Sequence, residues 1–354
     1  MTTINKTKPV LVTGGSGYIA SWVVKQLLDE GYTVHTTVRA LNKKDKYQHL
    51  LDIADKLKGT LKIFEADLMK EGSFDESMKD CELVMHMASP FFIQGIKNAE
   101  KQLIEPAKKG TQNVLESANR TASVKRVIVT SSVVAIYGDA TDAKEAPNGI
   151  LTEEIWNTTS NVKHQPYSYS KTLAEKEAWE INKNQDRWDL LTINPGFVLG
   201  PSLTKRTDST SISTVIQLAD GTFKSGAPDL WFGIVDVRDI AKAHIKAGFT
   251  PDAKGRFIVS NESETFLGMA NIIKEEFGDK YQFPKRKAPK AMMWLLAPMV
   301  GVTRKFVSKN VGIPLNIDNT KSKKELNMEY IPLKQTLIDQ FQQLVDDGLV
   351  TPRA

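Results

Sequence analysis

The sequence predicts an α/β protein with a doubly wound parallel sheet and a smaller, mostly helical C-terminal lobe for a substrate. Short β-branched runs alternate with amphipathic segments through the first part of the chain, as buried parallel strands and their covering helices require. A glycine-rich turn joins the first run to the first amphipathic segment. The alternation stops near residue 197, where we expect the second lobe to begin.

Six apolar runs are predicted to be strands, at residues 10–13, 33–38, 61–66, 83–87, 127–130 and 190–193. Helix-length segments separate them, the first at residues 19–30. Crossover connections between parallel strands are almost always right-handed. We therefore expect helices on both faces of the sheet.

The later part of the chain has a different pattern. Residues 200–213 are rich in Pro, Ser, Thr and Asp and predict a loop. Residues 235–246 have helical spacing, and residues 257–260 predict one further strand. The predicted sheet domain is 1–198 with 236–261 returning to it, and the predicted substrate-binding lobe is 199–235 and 262–354.

Composition excludes several classes of protein. The 47 basic and 42 acidic side chains give a net charge of +5, which is too small to indicate a nucleic-acid partner. The single cysteine, Cys81, excludes an intrachain disulfide framework and is typical of a packing residue in a reducing compartment. Residues 1–8 lack the apolar core of a secretion signal. We expect a cytoplasmic protein with no membrane or nucleic-acid partner and no metal.

One apolar stretch, residues 291–302, leaves two alternatives. Twelve residues cannot span a bilayer of about 30 Å, but basic side chains precede the stretch at residues 285–287 and 290. It is either a helix at a membrane interface or a buried helix with a solvated basic rim. The buried helix is favoured.

A glycine-rich turn, TGGSGYIA at residues 13–20, follows the first predicted strand and begins the first helix. In such turns one glycine permits the bend, one lets backbone N–H groups approach a pyrophosphate, and a last small residue lets helix and strand pack closely. The helix N-terminus adds a partial positive charge. The turn predicts a Rossmann-type dinucleotide site, whose contacts here are Gly14, Ser16, Gly17, Tyr18 and Ile19.

The end of the second strand distinguishes NADP from NAD. An NAD site usually has Asp or Glu about twenty residues after the glycines, whereas residues 36–39 read Thr-Thr-Val-Arg. Arg39 can grip a 2′-phosphate, and Lys43, Lys44 or Lys46 can add charge. The alternative is a solvated basic loop, but the missing carboxylate favours NADP.

Two further strand ends are predicted to border the cofactor, because ligands bind at the carboxyl edge of such sheets. Asp67 and Leu68 follow the third strand, where a carboxylate can meet the adenine amino group. Met87, Ala88 and Ser89 follow the fourth strand.

The candidate chemical groups follow along the same edge. Ser131 and Ser132 come after the strand at 127–130, and Tyr167 and Lys171 are four residues apart on one helix face. Reduction of a carbonyl needs a hydride on carbon and a proton on oxygen. A tyrosine can supply that proton when a neighbouring ammonium lowers its pKa, and a serine hydroxyl can polarise the substrate oxygen.

These residues resemble the extended short-chain dehydrogenase/reductases over nearly the full length. The shared motifs are the 13–20 turn, ADL at 66–68, TSS at 130–132, YSYSK at 167–171, INPGFVLGP at 193–201 and DVRDIA at 236–241. Within that family the chain is most similar to the branch of dihydroflavonol, cinnamoyl and yeast-type carbonyl (methylglyoxal) reductases.

The resemblance implies an NADPH-dependent aldehyde or ketone reductase. It makes Ser132 the active serine, with Ser131 as the fallback, Tyr167 the proton donor and Lys171 its partner. It implies that the cofactor also contacts Pro195, Gly196, Val198, Ser211, Tyr167 and Lys171. Asn113 is either the anchor of a proton relay or a helix-surface amide. The small-molecule carbonyl substrate is expected to contact Ser132, Tyr167, Phe91 (or Phe92), Val133 and the 200–232 loop.

Two other functions stay open. A nucleotide-sugar epimerase or dehydratase would use the same scaffold with bound NAD, and a regulator could sense NADP without turnover. The presence of Arg39 argues against the first function, and the presence of both Tyr167 and Lys171 argues against the second. The chain is expected to be a monomer or a homodimer.

Overall fold

The computed structural model describes residues 1–89 and 98–353. Its main sheet has seven parallel strands in the order β3-β2-β1-β4-β5-β6-β9. They are β1 (Val10–Val12), β2 (Thr33–Val38), β3 (Thr60–Glu65), β4 (Leu83–His86), β5 (Arg126–Thr130), β6 (Asp189–Pro195) and β9 (Gly255–Val259). The chain runs outward from β1 to β3 and then crosses back to β4, so the strand order reverses beside β1. The predicted doubly wound fold is confirmed.

Helices cover both faces of this sheet. The helices are α1 (Tyr18–Asp29), α2 (Gln48–Ala54), α3 (Asp75–Met78), α4 (Glu105–Arg120), α5 (Asp142–Glu145), α6 (Pro166–Lys183), α7 (Thr210–Ala219), α8 (Val237–Phe249), α9 (Phe266–Phe277), α10 (Lys290–Leu296), α11 (Arg304–Asn310), α12 (Thr320–Glu325) and α13 (Leu333–Asp346). A π-helical turn, Glu100–Ile104, leads into α4.

The alternating side chains of β1 explain why a hydrophobic cluster lies on each of the two faces of the main sheet. Val10 and Val12 pack in one hydrophobic cluster with α1 and α8, whereas Leu11 packs in another with α4 and α6. Successive side chains of a strand point to opposite faces, so a strand buried on both sides must be apolar throughout. Cys81 lies in the second cluster, and burial raises the pKa of its thiol to about 12, as expected of an inert packing residue.

A second, three-stranded sheet has the order β10-β8-β7, with β7 at Phe197–Leu199, β8 at Trp231–Asp236 and β10 at Glu262–Thr265. None of these three strands was predicted, and the helix after β8 was expected to begin at residue 235. The helix begins at Val237 because the Asp236 carboxylate accepts a hydrogen bond from the Arg238 N–H (2.8 Å) and caps it. The C-terminal region is therefore helical but built around a small sheet, and the predicted division into two lobes stays a prediction.

The prediction of a buried helix at residues 291–302 was wrong. No side chain of α10 is buried, and in the 3₁₀ turn that follows, Ala297–Val300, Met299 is 82% exposed. Only Ala297 is buried there, against Val307 and Val311. In the described part of the chain, the helices are all too short or too polar to cross a bilayer.

Candidate active site

The glycine turn has the shape that a pyrophosphate site needs. Gly14 has φ +68°, and a Cβ on it would lie 3.0 Å from the Cβ of Ala88 at the end of β4. A Cβ on Gly15 would lie 2.0 Å from the Thr36 hydroxyl oxygen. Gly17 is the N-cap of α1. The turn can therefore lie close to β2 and β4 only because side chains are absent, leaving its backbone N–H groups and the α1 N-terminus for an anion.

Thr13 fastens this turn to the end of β4. Its fully buried hydroxyl accepts hydrogen bonds from the N–H groups of Met87 and Ala88 (3.0 Å each) and lies 3.0 Å from His86 Nδ1. Burial, with a smaller effect from the Lys171 charge, lowers the pKa of His86 to about 3, so its ring is neutral. The sequence placed Thr13 in the turn motif without predicting this role, and His86 was not singled out because it reads as one more residue of a buried strand.

The loop after β2 carries the predicted phosphate clamp. Arg39, Lys43 and Lys46 are all exposed, so their charges are available to a ligand. The loop after β7 approaches this segment: Arg206 pairs with Asp208 (2.8 Å), and Lys46 helps to lower the pKa of Asp208. This approach was not predicted, because nothing local in the sequence links residues 46 and 208.

The end of β3 is tied to α4. The Asn113 amide is 7% exposed and donates to the Leu68 carbonyl (2.7 Å). Its alternative assignment as a helix-surface amide was therefore wrong, and a role in a proton relay stays a prediction. Asp67 is exposed, and its carboxylate accepts a hydrogen bond from the Met69 N–H (2.8 Å).

The two serines after β5 have different environments. The Ser131 hydroxyl is buried and donates to the Glu175 carboxylate. Ser132 is partly exposed, and its hydroxyl caps the 3₁₀ turn Val133–Ala135 through a long contact with the Val134 N–H (3.3 Å). A hydroxyl committed to a buried carboxylate is poorly placed to polarise a substrate, whereas Ser132 keeps its proton for another acceptor.

Helix α6 carries the candidate tyrosine and lysine. It begins at Pro166, directly after Gln165 in the left-handed conformation (φ 55°). The Lys171 ammonium is buried and donates to the Ser89 hydroxyl at the end of β4 (3.2 Å). Burial lowers the pKa of Lys171 to about 8, and the Glu175 carboxylate acts in the opposite direction. Tyr167 is half-buried, and burial raises its pKa above the ordinary value.

Glu175, one turn after Lys171, was missed by the sequence analysis. Its fully enclosed carboxylate pairs with Arg256 of β9 (2.6 Å) and accepts hydrogen bonds from Asn194 (2.8 Å) and Thr192 (3.2 Å) of β6, besides Ser131. Arg256 also lies over the Trp156 ring (3.9 Å to the centroid). Buried charges persist when they are paired and fully hydrogen-bonded. This network fixes α6 against the strand ends that carry the serines.

A small cavity adjoins Lys171 between α4 and α6. Its polar lining includes Ser89, Thr111, Thr130 and Glu175. Among the described residues, the side chains of Ser132 and Tyr167 do not line it. Among residues 1–89 and 98–353, no three His, Cys, Asp or Glu side chains are grouped to hold a metal ion.

The predicted nicotinamide segment crosses from the large sheet to the small one. Pro195 ends β6, the Gly196 N–H donates to the Val259 carbonyl (3.0 Å), and Val198 lies in β7. A Cβ on Gly196 would lie 2.3 Å from the Gly233 carbonyl oxygen. This close approach explains why a glycine follows Pro195 where the two sheets meet.

The loop after β7 is held from two sides. The Tyr18 hydroxyl of α1 donates to the Gly200 carbonyl (2.6 Å). From α13, Gln340 accepts from the Gly200 N–H (2.9 Å) and donates to the carbonyl of Ser211 (3.3 Å), and Gln343 accepts from the Ser202 N–H (2.7 Å). Helix α13 thus supports the loop between β7 and α7. The predicted cofactor contacts Val198 and Ser211 lie next to the two ends of this loop.

Two predicted substrate contacts have different outcomes. Val133 is 5% exposed and packs in a hydrophobic cluster with Ile258 and Leu315, so its side chain supports the serine turn, and a substrate contact stays a prediction. Phe91 and its alternative Phe92 lie outside the described residues.

The model of the NAD dependent epimerase/dehydratase family matches residues 10–259. The chain belongs to this family. It is 35% identical to cinnamoyl-CoA reductase CAD2 of Medicago truncatula over 97% of this chain and 98% of that protein. It is 34% identical to dihydroflavonol 4-reductase of Gerbera hybrida over 77% of this chain and 73% of that protein.

Solved structures of family members agree. Gre2 from Candida albicans, in complex with NADPH, superposes with a TM-score of 0.77 at 33% identity, covering 96% of this chain and 99% of that one. Yeast methylglyoxal/isovaleraldehyde reductase Gre2, complexed with NADPH, has a TM-score of 0.76 at 29% identity, covering 97% of this chain and 100% of that one. The predicted resemblance to extended reductases is confirmed, and the chain is an oxidoreductase of this family.

Proposed function

We propose that this protein uses NADPH to reduce the carbonyl group of an aldehyde or ketone to an alcohol. In this proposal Tyr167 donates the proton, Lys171 lowers the pKa of Tyr167, and Ser132 polarises the carbonyl oxygen. The observation that carries the proposal is the contact between Lys171 Nζ and the Ser89 hydroxyl (3.2 Å). This hydrogen bond joins helix α6, which bears Tyr167, to the end of β4. Thr13 in turn joins the end of β4 to the glycine turn.

The residues present fit NADPH. The turn at Gly14, Gly15 and Gly17 leaves a cradle that a Cβ would fill, and the exposed Arg39 carries the charge that a 2′-phosphate needs. When bound, the cofactor supplies the hydride. Gre2 from Candida albicans and Gre2 from yeast were both solved with NADPH, which supports the same cofactor here.

The chain's own residues supply the proton and the polarisation. Because burial raises the pKa of Tyr167, its hydroxyl is protonated at neutral pH and can donate to a developing alkoxide. A tyrosinate formed in that environment needs a compensating charge, which we assign to Lys171. The partly exposed Ser132 hydroxyl is free to donate to the same substrate oxygen, whereas Ser131 donates to Glu175.

The substrate class follows from the shared chemistry of the relatives. Their names point to cinnamoyl-CoA, which is a thioester, and to dihydroflavonols and methylglyoxal, which are ketones or aldehydes; all three have a carbonyl group that accepts hydride, and two of the three are ketones or aldehydes. A solved UDP-glucose-4-epimerase is similar at 16% identity, which reflects the fold alone. We therefore propose a small-molecule aldehyde or ketone.

The test is oxidation of NADPH or NADH by the purified protein with aromatic and aliphatic aldehydes and ketones. Tyr167→Phe should abolish turnover while NADPH binding persists. Tyr169→Phe, on the same helix, is the matched control and should stay within a few-fold of the wild type. Arg39→Gln should raise KM for NADPH by about 10- to 100-fold, as expected for a lost charged contact, and leave KM for NADH nearly unchanged.

Each outcome separates the proposal from its rivals. Equal activity with NADH would refute the role of Arg39. A protein that binds NADPH tightly but reduces no carbonyl compound would instead be a sensor, and one purified with stoichiometric NAD would favour a sugar-modifying enzyme.

A further inference from the structure

An exposed apolar surface covers the tip of the hairpin formed by α10, the turn Ala297–Val300 and α11. Six of the ten exposed large apolar side chains in the part of the chain that the structure describes lie within nine consecutive residues here. They are Met292 (41%), Trp294 (42%), Leu295 (62%), Leu296 (41%), Met299 (82%) and Val300 (72%). We call these six residues the apolar tip. Contiguous exposed apolar patches in proteins mark interaction sites.

Local structure holds the apolar tip away from the protein core. Gly301 turns the chain with φ +73°, the Val302 N–H donates to the Ala297 carbonyl (3.0 Å), and α11 then runs back. Ala297 packs on α11 and closes the hairpin. The hairpin is thus a defined structure whose inner side is already filled, and among the described residues its outer side is left exposed.

The chain on either side of the apolar tip is strongly basic in sequence. Residues 280–317 contain eight lysines and arginines and no acid, leaving 39 basic and 42 acidic side chains for the rest of the chain. Two of the eight are paired, Lys287 with Asp229 (3.0 Å) and Lys309 with Asp139 (3.7 Å). The other six have no carboxylate within 4.0 Å among the described residues, and all six are exposed: Lys280, Lys285, Arg286, Lys290, Arg304 and Lys305.

This charge pattern decides between two occupants. A second copy of the chain docking by two-fold symmetry would bring two identical surfaces together, and the unpaired cations of both copies would repel each other. A membrane with anionic lipids offers apolar acyl chains under a layer of negative charge. An apolar face with a cationic border is the pattern of interfacial membrane segments.

We propose that the apolar tip inserts into the interface of an anionic lipid bilayer, with the surrounding lysines and arginines on the headgroups. The Arg304 guanidinium lies over the Trp294 ring (4.5 Å to the centroid), and tryptophan and arginine both favour the headgroup level. The hairpin binds the surface and does not cross the bilayer. This revises the expectation that no membrane partner exists, which rested on the buried helix.

The proposal also predicts the orientation of the bound protein. At the base of the hairpin, Asn310 donates to the Asp139 carboxylate (2.7 Å) and accepts from the Ala140 N–H (2.8 Å). Asp139 in turn contacts His164 (2.8 Å), three residues before Tyr167. A docked hairpin therefore holds the beginning of α6 toward the membrane.

The test is flotation of the full-length protein with vesicles of phosphatidylcholine, alone or mixed with phosphatidylserine. We expect binding to the anionic vesicles, weaker by tenfold or more with the neutral ones and weakened by salt. Leu295→Ser with Met299→Ser should reduce binding about tenfold or more. Lys285→Gln with Lys305→Gln should also reduce it about tenfold or more, whereas the charge-matched control Lys56→Gln with Lys324→Gln should not.

A second readout locates the insertion. Brominated phosphatidylcholine in the anionic vesicles should quench tryptophan fluorescence, and Trp294→Phe should remove that quenching. Thermal unfolding checks that each variant is folded. The proposal is overturned if anionic vesicles do not bind the protein, or if binding is the same in the Leu295/Met299 variant. It is also overturned if sedimentation shows self-association that this variant abolishes without vesicle binding, because the occupant is then a second copy.

Discussion

Ser131 and Ser132 are chemically identical neighbours whose surroundings differ. Ser131 donates to the enclosed Glu175 carboxylate, and Ser132 faces partly outward. We predict that Ser132→Ala lowers kcat about 100-fold, as the loss of one oxyanion donor does. Ser131→Ala should keep kcat within a few-fold but lower the free energy of unfolding by about 1 to 3 kcal/mol, because a buried acceptor loses its donor. Steady-state kinetics and urea unfolding of both variants check this, and the reverse assignment of the two losses would make Ser131 the active serine.

Lys171 is a buried cation whose charge is unfavourable to folding. Its pKa is about 8 in the folded protein and about 10.4 in an unfolded chain. The unfolded state therefore binds more protons between these values, and wild-type stability should rise as pH increases from 8 to 10. Below pH 8 the full cost of the charge is present.

We predict that Lys171→Met, in the absence of cofactor, is more stable than the wild type by about 1 to 3 kcal/mol at pH 7. The loss of the bond to Ser89 offsets part of the gain. The difference should shrink toward pH 10, and the variant should be inactive. Urea unfolding at pH 7 and pH 10 measures it, and a variant less stable than the wild type at both values would contradict the unfavourable burial of this charge.

At the scale of elements, helix α6 is fixed at Glu175, which joins it to β5, β6 and β9. The Glu175 carboxylate raises the pKa of Lys171 against the effect of burial. Glu175→Gln should therefore lower the pKa of Lys171 and leave the Arg256 charge less compensated. We expect a loss of kcat and a shift of the limb of the pH–rate profile that Lys171 controls toward lower pH.

The exposed Glu180, on the same helix, gives the matched variant Glu180→Gln, which should keep the wild-type profile. A profile of Glu175→Gln that is merely scaled down, with no shift along the pH axis, would reduce the role of Glu175 to structural support. The two variants thus separate an electrostatic effect from a packing effect.

Most elements could be predicted from apolar periodicity, because strands buried on both faces leave long β-branched runs. The three strands of the small sheet were missed. Strands β7 and β10 are only three and four residues long, and in β8 Gly233 interrupts the run and the helix cap at Asp236 follows without a loop. The segment 291–302 was wrongly predicted to be buried because its composition is apolar. Only the fold determines which apolar segments pack against other parts of the chain.

The site was predictable to the extent that its motifs are local. The glycine turn and the spacing of Tyr167 and Lys171 are readable along the chain. The roles of Thr13 and Glu175 were not, because each acts through residues distant in sequence, so nothing in the local pattern marks them.

At the scale of the whole molecule, the large and small sheets meet where Gly196 lies against Gly233. A Cβ at residue 196 would approach the Gly233 carbonyl oxygen to 2.3 Å. The residues on either side of Gly196, Pro195 and Phe197, are held in strands β6 and β7. We predict that Gly196→Ala lowers the free energy of unfolding by about 2 kcal/mol or more and raises KM for NADPH. Gly348→Ala, at a glycine with open space around it, is the control for steric crowding, although its positive φ adds a small backbone strain of its own. Equal stability of the Gly196→Ala variant and the wild type would mean that the strands separate at little cost.

The support that Gln340 and Gln343 give to the loop after β7 has a consequence for synthesis. Chains emerge from the ribosome N-terminus first, and domains generally fold in that order. The glycine turn, most of the sheet and α6 can form early, but Gln340, which holds Gly200, is translated 140 residues after it. The nascent protein therefore waits for α13 before it can fix this loop, and a chain arrested shortly before residue 333 would carry the glycine turn but lack the side chains that hold Gly200 and Ser202.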